Sequence, residues 1–277
     1  MRKGDPNYNN RRIWLVGGTS ESAQIARVLA QCELPCTISV TTETAKNLYP
    51  AIPTLRVWVG NLDDIELGEF LQEQQIVAIL DASHPYAVSI SHLAISAAER
   101  WQIPYLRYER LSLQSSKSAK VPIIEDKLVI ELANWESLLA GNYLTGKRVL
   151  LTVGYRPLLL FRSWQTKSTL FARILPAARS LAAAIEAGFS GDRLIAIRPP
   201  ISAELETALW QQWQISLVIT KASGTPGGED IKREVAAKLG IPLIVIDRPV
   251  LDYPQQTSDL ARAVEFCQQH LAESNLQ

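Results

Sequence analysis

The sequence predicts an α/β protein built from two doubly wound lobes of parallel sheet. Short apolar runs rich in β-branched residues alternate with amphipathic stretches, a pattern typical of parallel strands joined by crossover helices. The alternation stops at a polar stretch, residues 113–120, and then begins again. The chain has 277 residues, which is long enough for two small domains.

The apolar runs place the elements in order. In the first half, strands are predicted at residues 13–16, 37–40, 55–59, 76–80 and 104–108, with helices at 20–31, 65–74 and 86–101. In the second half, strands are predicted at residues 148–153, 170–175, 194–197, 217–220 and 243–246, with helices between them. We therefore expect a tail at residues 1–12, a Rossmann-like domain at 13–112, a second at 113–277, and a cleft between the two domains.

Composition restricts the partners. Lys plus Arg and Asp plus Glu both count 28, so no global field attracts nucleic acid or an anionic membrane. No apolar run reaches the roughly 18–20 residues that a transmembrane helix needs, and the polar N-terminus lacks the apolar core of a signal peptide. Three cysteines, Cys32, Cys36 and Cys267, suit a reducing cytoplasm, where we expect the protein, and their spacing predicts no metal site. Oligomeric state cannot be predicted.

The first strand leads into a turn of small and polar residues before a helix. Such a turn lets a phosphate approach backbone N–H groups, and the helix dipole adds attraction. The predicted cofactor-binding residues here are Gly17, Gly18, Thr19, Ser20 and Glu21. Thr19 and Ser22 replace glycines of the usual dinucleotide fingerprint. A plain strand-to-helix turn capped by Thr19 or Ser20 is the alternative, in which Glu21 caps the helix or bonds a hydroxyl.

The end of the second strand is expected to face the adenosine ribose of a dinucleotide. An acidic residue there selects the free 2′-hydroxyl of NAD, whereas a basic one accommodates the 2′-phosphate of NADP. Glu43 favours NAD, while Thr41, Thr42 and Lys46 suit a 2′-phosphate. Ordinary polar residues at a strand end are an equal alternative.

Dense polar chemistry follows the fourth strand. Asp81, Ala82 and Ser83 are predicted to contact the cofactor, and His84 and Tyr86 to lie at the reacting face. Histidine titrates near neutrality and can donate a proton or a hydrogen bond. A purely structural histidine is the alternative.

Four arginines are associated with predicted strands, where guanidinium groups can bind carboxylates bidentately. They are Arg107, Arg110, Arg156 and Arg173. Arg107 could instead pair with Glu109, and the others could be solvated surface residues.

The loop after residues 217–220 combines a lysine, hydroxyls and glycines. Lys221 could hold an anion or lie over the redox centre, and Ser223 and Gly224 bring backbone close to a ligand. A merely flexible loop is the alternative.

Five motifs taken together resemble the precorrin-6A reductase family and its cobalt-precorrin-6A counterpart. They are Gly-Gly-Thr-Ser-Glu at 17–21, Asp-Ala-Ser-His-Pro-Tyr at 81–86, Leu-Arg-Tyr-Glu-Arg at 106–110, Lys-Ala-Ser-Gly at 221–224 and Ile-Pro-Leu-Ile-Val-Ile-Asp-Arg-Pro at 241–249. The resemblance spans residues 14–249. One departure is that family members often carry a glycine-arginine pair after the second strand, where this chain has Thr41-Thr42-Glu43.

The resemblance implies NADPH-dependent reduction of a macrocycle double bond of precorrin-6A, or of its cobalt form, in cobalamin biosynthesis. It implies that the domain at residues 13–112 binds the dinucleotide, and that His84, Tyr86 and Lys221 lie near the reacting face. The four arginines would bind the carboxylates of the tetrapyrrole substrate. Another NAD(P)-dependent reductase or epimerase, or a dinucleotide-binding redox sensor without enzyme activity, is the alternative function.

Overall fold

A computed structural model describes residues 11–110 and 128–273. The chain divides into two compact units, Met1–Arg110 together with Val250–Gln277, and Leu111–Pro249. We call them the first lobe and the second lobe. The linker predicted at residues 113–120 lies outside the described residues.

The first lobe contains a six-stranded sheet whose paired strands all run parallel. Its strands are β1 (Arg12–Val16), β2 (Cys36–Val40), β3 (Leu55–Val59), β4 (Ile76–Asp81), β5 (Tyr105–Tyr108) and β12 (Gln256–Thr257). Its helices are α1 (Ser20–Gln31), α2 (Glu43–Lys46), α3 (Glu66–Glu73), α4 (Val88–Trp101) and α9 (Leu260–Glu273). The strand order is β12-β5-β4-β1-β2-β3.

The second lobe contains a second six-stranded parallel sheet. Its strands are β6 (Val129–Leu132), β7 (Arg148–Leu151), β8 (Thr169–Ile174), β9 (Leu194–Ala196), β10 (Leu217–Lys221) and β11 (Leu243–Ile246). Its helices are α5 (Trp135–Ala140), α6 (Ala178–Glu186), α7 (Ala203–Gln212) and α8 (Glu229–Leu239). The strand order is β6-β11-β10-β7-β8-β9.

The two sheets share one plan. In each, five consecutive strands wind outward in both directions from a central pair, which is β1 and β4 in the first lobe and β7 and β10 in the second. The order of winding reverses at that pair, and ligands of such sheets bind beyond its carboxyl ends. The sixth strand differs between the lobes, because β12 comes from the end of the chain whereas β6 precedes the other strands of its lobe.

Alternating side chains explain why each sheet is covered on both faces. Ile13 and Leu15 of β1 belong to one buried cluster, which includes residues of α1 and α9, while Trp14 and Val16 belong to another with residues of α3 and α4. Successive side chains of a strand point to opposite faces, so a continuous apolar run predicts a strand buried on both sides. Apolar packing on both faces of the sheet therefore fixes the positions of the strand ends.

The doubly wound fold and the ten predicted strands are confirmed, with differences of a residue or two at their ends. The sequence did not predict β6 or β12. We expected residues 113–277 to form the second domain, but Val250–Gln277 clusters with the first lobe. The physical reason is that β12 pairs with β5, with Gln256 opposite Arg107, and that α9 packs on β4. A strand of two polar residues carries no apolar pattern to reveal it.

Arg12 corrects the predicted tail. We assigned residues 1–12 to a frayed end, yet Arg12 is buried and begins β1. Its guanidinium donates to Thr37 Oγ1 at 2.9 Å and to the carbonyl oxygens of Cys36 and Thr54, each at 2.7 Å. Burial lowers the pKa of Arg12 to about 10. These bonds join the amino-terminal ends of β1 and β2 and the residue just before β3.

Candidate functional site

The turn between β1 and α1 has a backbone that depends on glycine at two positions. A Cβ at Gly17 would overlap the Tyr49 hydroxyl and lie 2.8 Å from Ile38 Cγ2. Gly18 has φ +97°, a conformation that L side chains rarely adopt, and nothing lies within 4 Å of where its Cβ would be. The first glycine is therefore needed for packing, and the second exposes its backbone to open space.

Thr19 caps α1, as one of our alternatives for this turn predicted. Its Oγ1 accepts the Ser22 N–H at 3.0 Å, and Ser22 Oγ reciprocally accepts the Thr19 N–H at 3.0 Å. Thr19 Oγ1 also contacts the Ala82 carbonyl oxygen at 2.9 Å, which ties the end of β1 to the end of β4. A capping box and a cross-strand contact thus fix this turn.

Three amides of the turn already have acceptors within the chain. The N–H groups of Gly17, Gly18 and Thr19 donate to Ser39 O, to Tyr49 Oη and to Ser22 Oγ. These three amides are therefore not available to a phosphate. The part of the turn that remains for phosphate binding is the amino end of α1, which begins at the exposed Ser20. The helix dipole still favours an anion there.

Tyr49 is a functional residue that the sequence analysis missed. Its hydroxyl accepts the Gly18 N–H at 2.7 Å and lies 2.7 Å from Ser22 Oγ, so it fastens the turn to α1. Burial raises the pKa of Tyr49, so the hydroxyl stays neutral. Tyr49 packs closely against Gly17, but the two residues are thirty-two positions apart in the sequence, so no local pattern indicates the contact.

Asp81 ends β4 as a fully buried carboxylate whose oxygens accept four hydrogen bonds. The donors are Arg107 NH1 at 2.9 Å, Ser91 Oγ at 2.6 Å, Tyr105 Oη at 2.9 Å and the Ser83 N–H at 3.0 Å. We expected Asp81 to contact the cofactor directly. Its bonds instead make it a residue that positions Ser83.

Two of the four predicted substrate arginines are paired inside the first lobe. Arg107 is 1% exposed and lies between Asp81 and Glu109, with Nε 2.8 Å from Glu109 Oε2, so the alternative pairing with Glu109 is what the structure has. Arg110 NH1 lies 2.8 Å from Glu21 Oε1. Register explains the buried pair, because Asp81 and Arg107 are opposite each other on β4 and β5.

Glu21 is likewise engaged within the chain. Partial burial alone would raise the pKa of its carboxyl, but the Arg110 guanidinium and hydrogen bonds lower it below the usual value. Ser20 Oγ donates to Glu21 Oε2 at 3.1 Å, as the alternative of a bond to a hydroxyl anticipated. The negative charge of Glu21 lies beside the start of α1, and the positive charge of Arg110 partly neutralises it.

The carboxyl ends of β1, β4 and β5 surround a concave site. It is lined by Thr19, Glu21, Ala82, Ser83, Pro85, Arg107, Tyr108, Glu109 and Arg110. The structure thus brings together the turn after β1 and residues 82–83, which the sequence predicted to bind one cofactor.

His84 and Tyr86 follow Ser83 in the chain. His84 is exposed and Tyr86 is half-buried, and their ring centroids are 5.8 Å apart. The Tyr86 N–H donates to His84 Nδ1 at 3.2 Å, which leaves the Nε2 edge of the imidazole to carry the proton in the neutral ring. The two predicted catalytic residues are therefore held side by side.

The end of β2 is exposed. Thr42 caps the short helix α2 by accepting the Ala45 N–H at 3.2 Å, and Thr41 is exposed beside it. Glu43 and Lys46 form an exposed pair at 3.9 Å. Both charges considered for ribose recognition are thus present and exposed at this strand end.

In the second lobe, Lys221 is the last residue of β10, and Ser223 and Gly224 lie in the loop that follows. Gly224 has φ +66°, and its N–H donates to Glu229 Oε2 at 2.9 Å. Burial, followed by the nearby Arg156 guanidinium, lowers the pKa of Lys221 to about 8. The loop is thus anchored to α8 rather than merely flexible.

Lys232 is a second residue that the sequence analysis missed. It is 2% exposed, and its Nζ donates to the carbonyl oxygens of Gly227 and Gly228 at 2.9 and 2.8 Å. Burial lowers the pKa of Lys232 to about 8. Together with Glu229 it holds the loop from α8. A lysine on an amphipathic helix gives no local signal of burial, so its role needed the tertiary structure.

The remaining two predicted substrate arginines differ from each other. Arg173 on β8 pairs with Glu206 of α7, and Glu206 also accepts the Trp210 indole N–H at 3.0 Å. Arg173 is therefore mostly engaged in a structural ion pair. Arg156 is exposed after β7, close enough to Lys221 to affect its pKa. Of the four arginines, Arg156 is the one that the described structure leaves exposed.

Within residues 11–110 and 128–273, no group of three or more His, Cys, Asp or Glu side chains is arranged to hold a metal ion. Across the same part of the chain, no helix has both the length and the apolar character required to cross a bilayer.

Two doubly wound parallel sheets define a Rossmann-like α/β protein, and the same fold occurs in a solved structure of a reductase. That structure, a CobK precorrin-6A reductase, aligns with a TM-score of 0.72 and 21% identity over 94% of this chain and 97% of its own. The chain belongs to the family described as precorrin-6x reductase CbiJ/CobK, whose sequence profile matches residues 12–268. It is accordingly an oxidoreductase, and the resemblance found in its motifs is confirmed.

Individual relatives agree with the family. The cobalt-precorrin-6A reductase of Synechocystis sp. is 47% identical over 262 residues, covering 94% of this chain and 97% of the relative. The cobalt-precorrin-6A reductase of Salmonella typhimurium is 33% identical, covering 87% and 89%. The precorrin-6A reductase of Rhodococcus erythropolis is 30% identical, covering 92% and 96%.

Proposed function

We propose that the protein uses NADPH to reduce a carbon–carbon double bond of a precorrin-6A macrocycle, giving the 6B form in cobalamin biosynthesis. The observation that carries the proposal is the 47% identity to a cobalt-precorrin-6A reductase over nearly the whole of both chains. That relative favours the cobalt complex as substrate over the metal-free macrocycle. No metal ligand from the protein is needed for either form, because cobalt belongs to the substrate.

We propose that the dinucleotide binds in the first lobe, at the carboxyl ends of β1 and β4. Open space in front of Gly18 and the exposed amino end of α1 suit a pyrophosphate, which Thr19 and Ser20 would flank. Ala82 and Ser83 line the same concave site. When bound, the reduced nicotinamide supplies the hydride. We propose Ser223 and Gly224 as further cofactor contacts, with the Gly224 N–H held by Glu229.

Discrimination between NADPH and NADH would depend on the end of β2. Thr41, Thr42 and Lys46 would hold a 2′-phosphate, and their exposure supports this. Glu43 opposes it, because a carboxylate repels a phosphate and bonds a free 2′-hydroxyl. We propose NADPH as the preferred cofactor, with NADH used less well.

Reducing a carbon–carbon double bond requires a hydride at one carbon and a proton at the other. We propose Lys221 as the proton donor, with His84 and Tyr86 orienting the reacting face. A pKa of about 8 lets the Lys221 ammonium release a proton at neutral pH and recover it from solvent. His84, with its Nδ1 engaged by the Tyr86 amide, would present its other ring nitrogen.

Anaerobic assays of the purified protein test the proposal. Cobalt-precorrin-6A and metal-free precorrin-6A are each mixed with NADPH, and loss of the reduced nicotinamide absorbance is followed together with the mass of the product. We expect equimolar NADPH oxidation and a gain of two hydrogens, faster with the cobalt complex. Unchanged NADPH with both competent substrates would contradict the proposed reaction, and equal rates would contradict the preference for cobalt.

A further inference from the structure

Two guanidinium groups lie against one tyrosine ring in the second lobe. The Cζ atoms of Arg156 and Arg179 are 6.0 and 5.6 Å from the centroid of the Tyr155 ring. Tyr155 is half-buried and packs against the apolar core of its lobe, whereas both arginines are exposed. A guanidinium within about 6 Å of an aromatic centroid is attracted by the ring quadrupole. The half-buried Tyr155 ring therefore supports two exposed guanidinium groups.

The local chain explains why these groups meet. Gly154 has φ +76°, which turns the chain just after β7 and leads it from the buried Val153 to Tyr155. The Tyr155 carbonyl then accepts the Leu158 N–H at 3.2 Å, at the start of a short 3₁₀ helix, Leu158–Trp164. Arg179 lies in the first turn of α6, which follows β8, and β8 is the neighbour of β7. All three residues thus lie at one carboxyl edge of the sheet.

The charges of this group are not neutralised within the described part of the chain. No carboxylate there forms an ion pair with Arg156 or Arg179, in contrast to Arg173 and Arg233 of the same lobe, which pair with Glu206 and Glu229. The positive end of the α6 dipole adds to the same potential. Positive charges held near one another repel, and a bound anion relieves that repulsion.

We propose that Tyr155, Arg156 and Arg179 form a carboxylate clamp that binds the acidic side chains on the rim of a planar macrocycle. Each guanidinium offers two N–H groups to one carboxylate, and the tyrosine ring limits the directions in which the guanidiniums can point. Exposed Leu159 and Leu160 follow in the chain, so apolar surface for a macrocycle face is available on the same segment. The clamp positions the substrate and takes no part in proton or hydride transfer.

The identity of the macrocycle rests on the proposed function, but binding can be measured without turnover. Uroporphyrin, a planar tetrapyrrole rich in carboxylates, is titrated into the full chain in the absence of NADPH, with quenching of tryptophan fluorescence as the signal. Mesoporphyrin, which carries fewer carboxylates, serves as the second probe. Failure of the reductase assay would therefore leave this result interpretable, because the titration requires no reaction.

Arg156→Gln and Arg179→Gln are each expected to raise the Kd for uroporphyrin about tenfold, since each removes a charge-assisted bidentate contact. Arg179→Lys should recover part of the loss, and the Kd for mesoporphyrin should change less. Arg193→Gln is the control, because Arg193 is a partly exposed arginine of the same lobe that precedes β9 at the opposite edge of the sheet. The control should bind as the unmodified protein does.

The urea unfolding midpoint of each variant establishes whether it folds. We expect all of them to fold, because substitutions at surface positions change the free energy of unfolding little. Unchanged uroporphyrin affinity in folded Arg156→Gln and Arg179→Gln would overturn the proposal. An equal loss in Arg193→Gln would also overturn it, because that result would reflect net charge rather than a local clamp.

Discussion

The two lobes carry side chains of opposite charge at the same position of the same fold, the end of the strand beside the central strand. The last residue of β4, beside the central strand β1, is Asp81, and the last residue of β10, beside the central strand β7, is Lys221. Asp81 is fully buried and accepts four hydrogen bonds, including one from Arg107 on the next strand. The residue opposite Lys221 on its next strand is the apolar Ile246.

This difference shows how one scaffold supports two tasks. In the first lobe, Arg107 and Arg110 are paired with Asp81, Glu109 and Glu21, so charge serves to fix strand ends around a concave site. In the second lobe, Arg156 and Arg179 remain exposed around Tyr155. We infer that the first lobe is organised to hold a dinucleotide, and that the second is organised to receive an anionic substrate.

Breaking the buried pair of the first lobe should have the largest effect. Asp81→Ala leaves the Arg107 guanidinium buried and deprived of one carboxylate, and such losses cost about 3–5 kcal/mol of unfolding free energy. Asp192→Ala, which removes an exposed carboxylate of the second lobe, should change the free energy of unfolding far less. Urea unfolding measures both. A cost below about 1 kcal/mol for Asp81→Ala would show that the buried pair does not stabilise the lobe.

Removing the lysine at the equivalent position should impair chemistry more than stability. Lys221→Met is expected to lower kcat about 100-fold, the lower range for a lost general acid, while NADPH affinity changes little. In the unmodified protein, kcat should fall as pH rises through about 8, because burial lowers the Lys221 pKa and the ammonium is lost there. That inflection should be absent from Lys221→Met. An unchanged pH profile in the variant would assign the proton to another group.

The packing of the first turn can be tested with a pair of substitutions. Gly17→Ala should cost about 1–3 kcal/mol, the usual range for overpacking, because the new methyl group overlaps the Tyr49 hydroxyl. Tyr49→Phe removes that hydroxyl, so the double variant should lose less than the sum of the single losses. Urea unfolding of the four proteins gives the coupling. Additive losses would mean that Tyr49 does not limit this turn.

The smallest effect is expected at the end of β2. Glu43→Gln should change unfolding free energy by less than about 0.5 kcal/mol, because its pair with Lys46 is exposed. It should raise the preference for NADPH over NADH by a few-fold, since a charge that repels the 2′-phosphate is removed. Steady-state KM values for both cofactors measure this, with Glu66→Gln on α3 as an exposed control. A preference that moves toward NADH would place the 2′-phosphate elsewhere.

The elements and their order could be predicted because they depend on local patterns. The apolar run at Trp14 to Val16 and the small residues after it predict a strand and a turn, and both are present. The strand β12 escaped because Gln256 and Thr257 form a strand only through pairing with β5. Local hydrophobic patterning contains no information about such a distant partner.

Prediction of the site was limited in the same way, because contacts between residues far apart in the sequence leave no local pattern. That Asp81, Ser83 and the first turn meet at one edge follows from parallel topology and could be inferred. Whether an arginine is paired depends on strand register and on distant carboxylates, as with Arg173 and Glu206. Sequence therefore located the polar strand ends, but it did not distinguish structural arginines from the exposed Arg156. The sequence patterns also gave no sign of Tyr49 and Lys232. Both are buried side chains that hold glycine-containing turns in place, Tyr49 beside Gly17 and Lys232 beside Gly227.

The division of tasks between the lobes is tested most directly by a crossed binding measurement. Gly18→Val strains the turn at φ +97° in the first lobe, and Arg156→Gln removes a guanidinium in the second. The Kd values for NADPH and for uroporphyrin are measured on both variants and on the unmodified protein. We predict about a tenfold or greater loss of NADPH affinity in Gly18→Val alone, and a comparable loss of uroporphyrin affinity in Arg156→Gln alone. Equal weakening of both ligands by either variant would contradict separate binding roles.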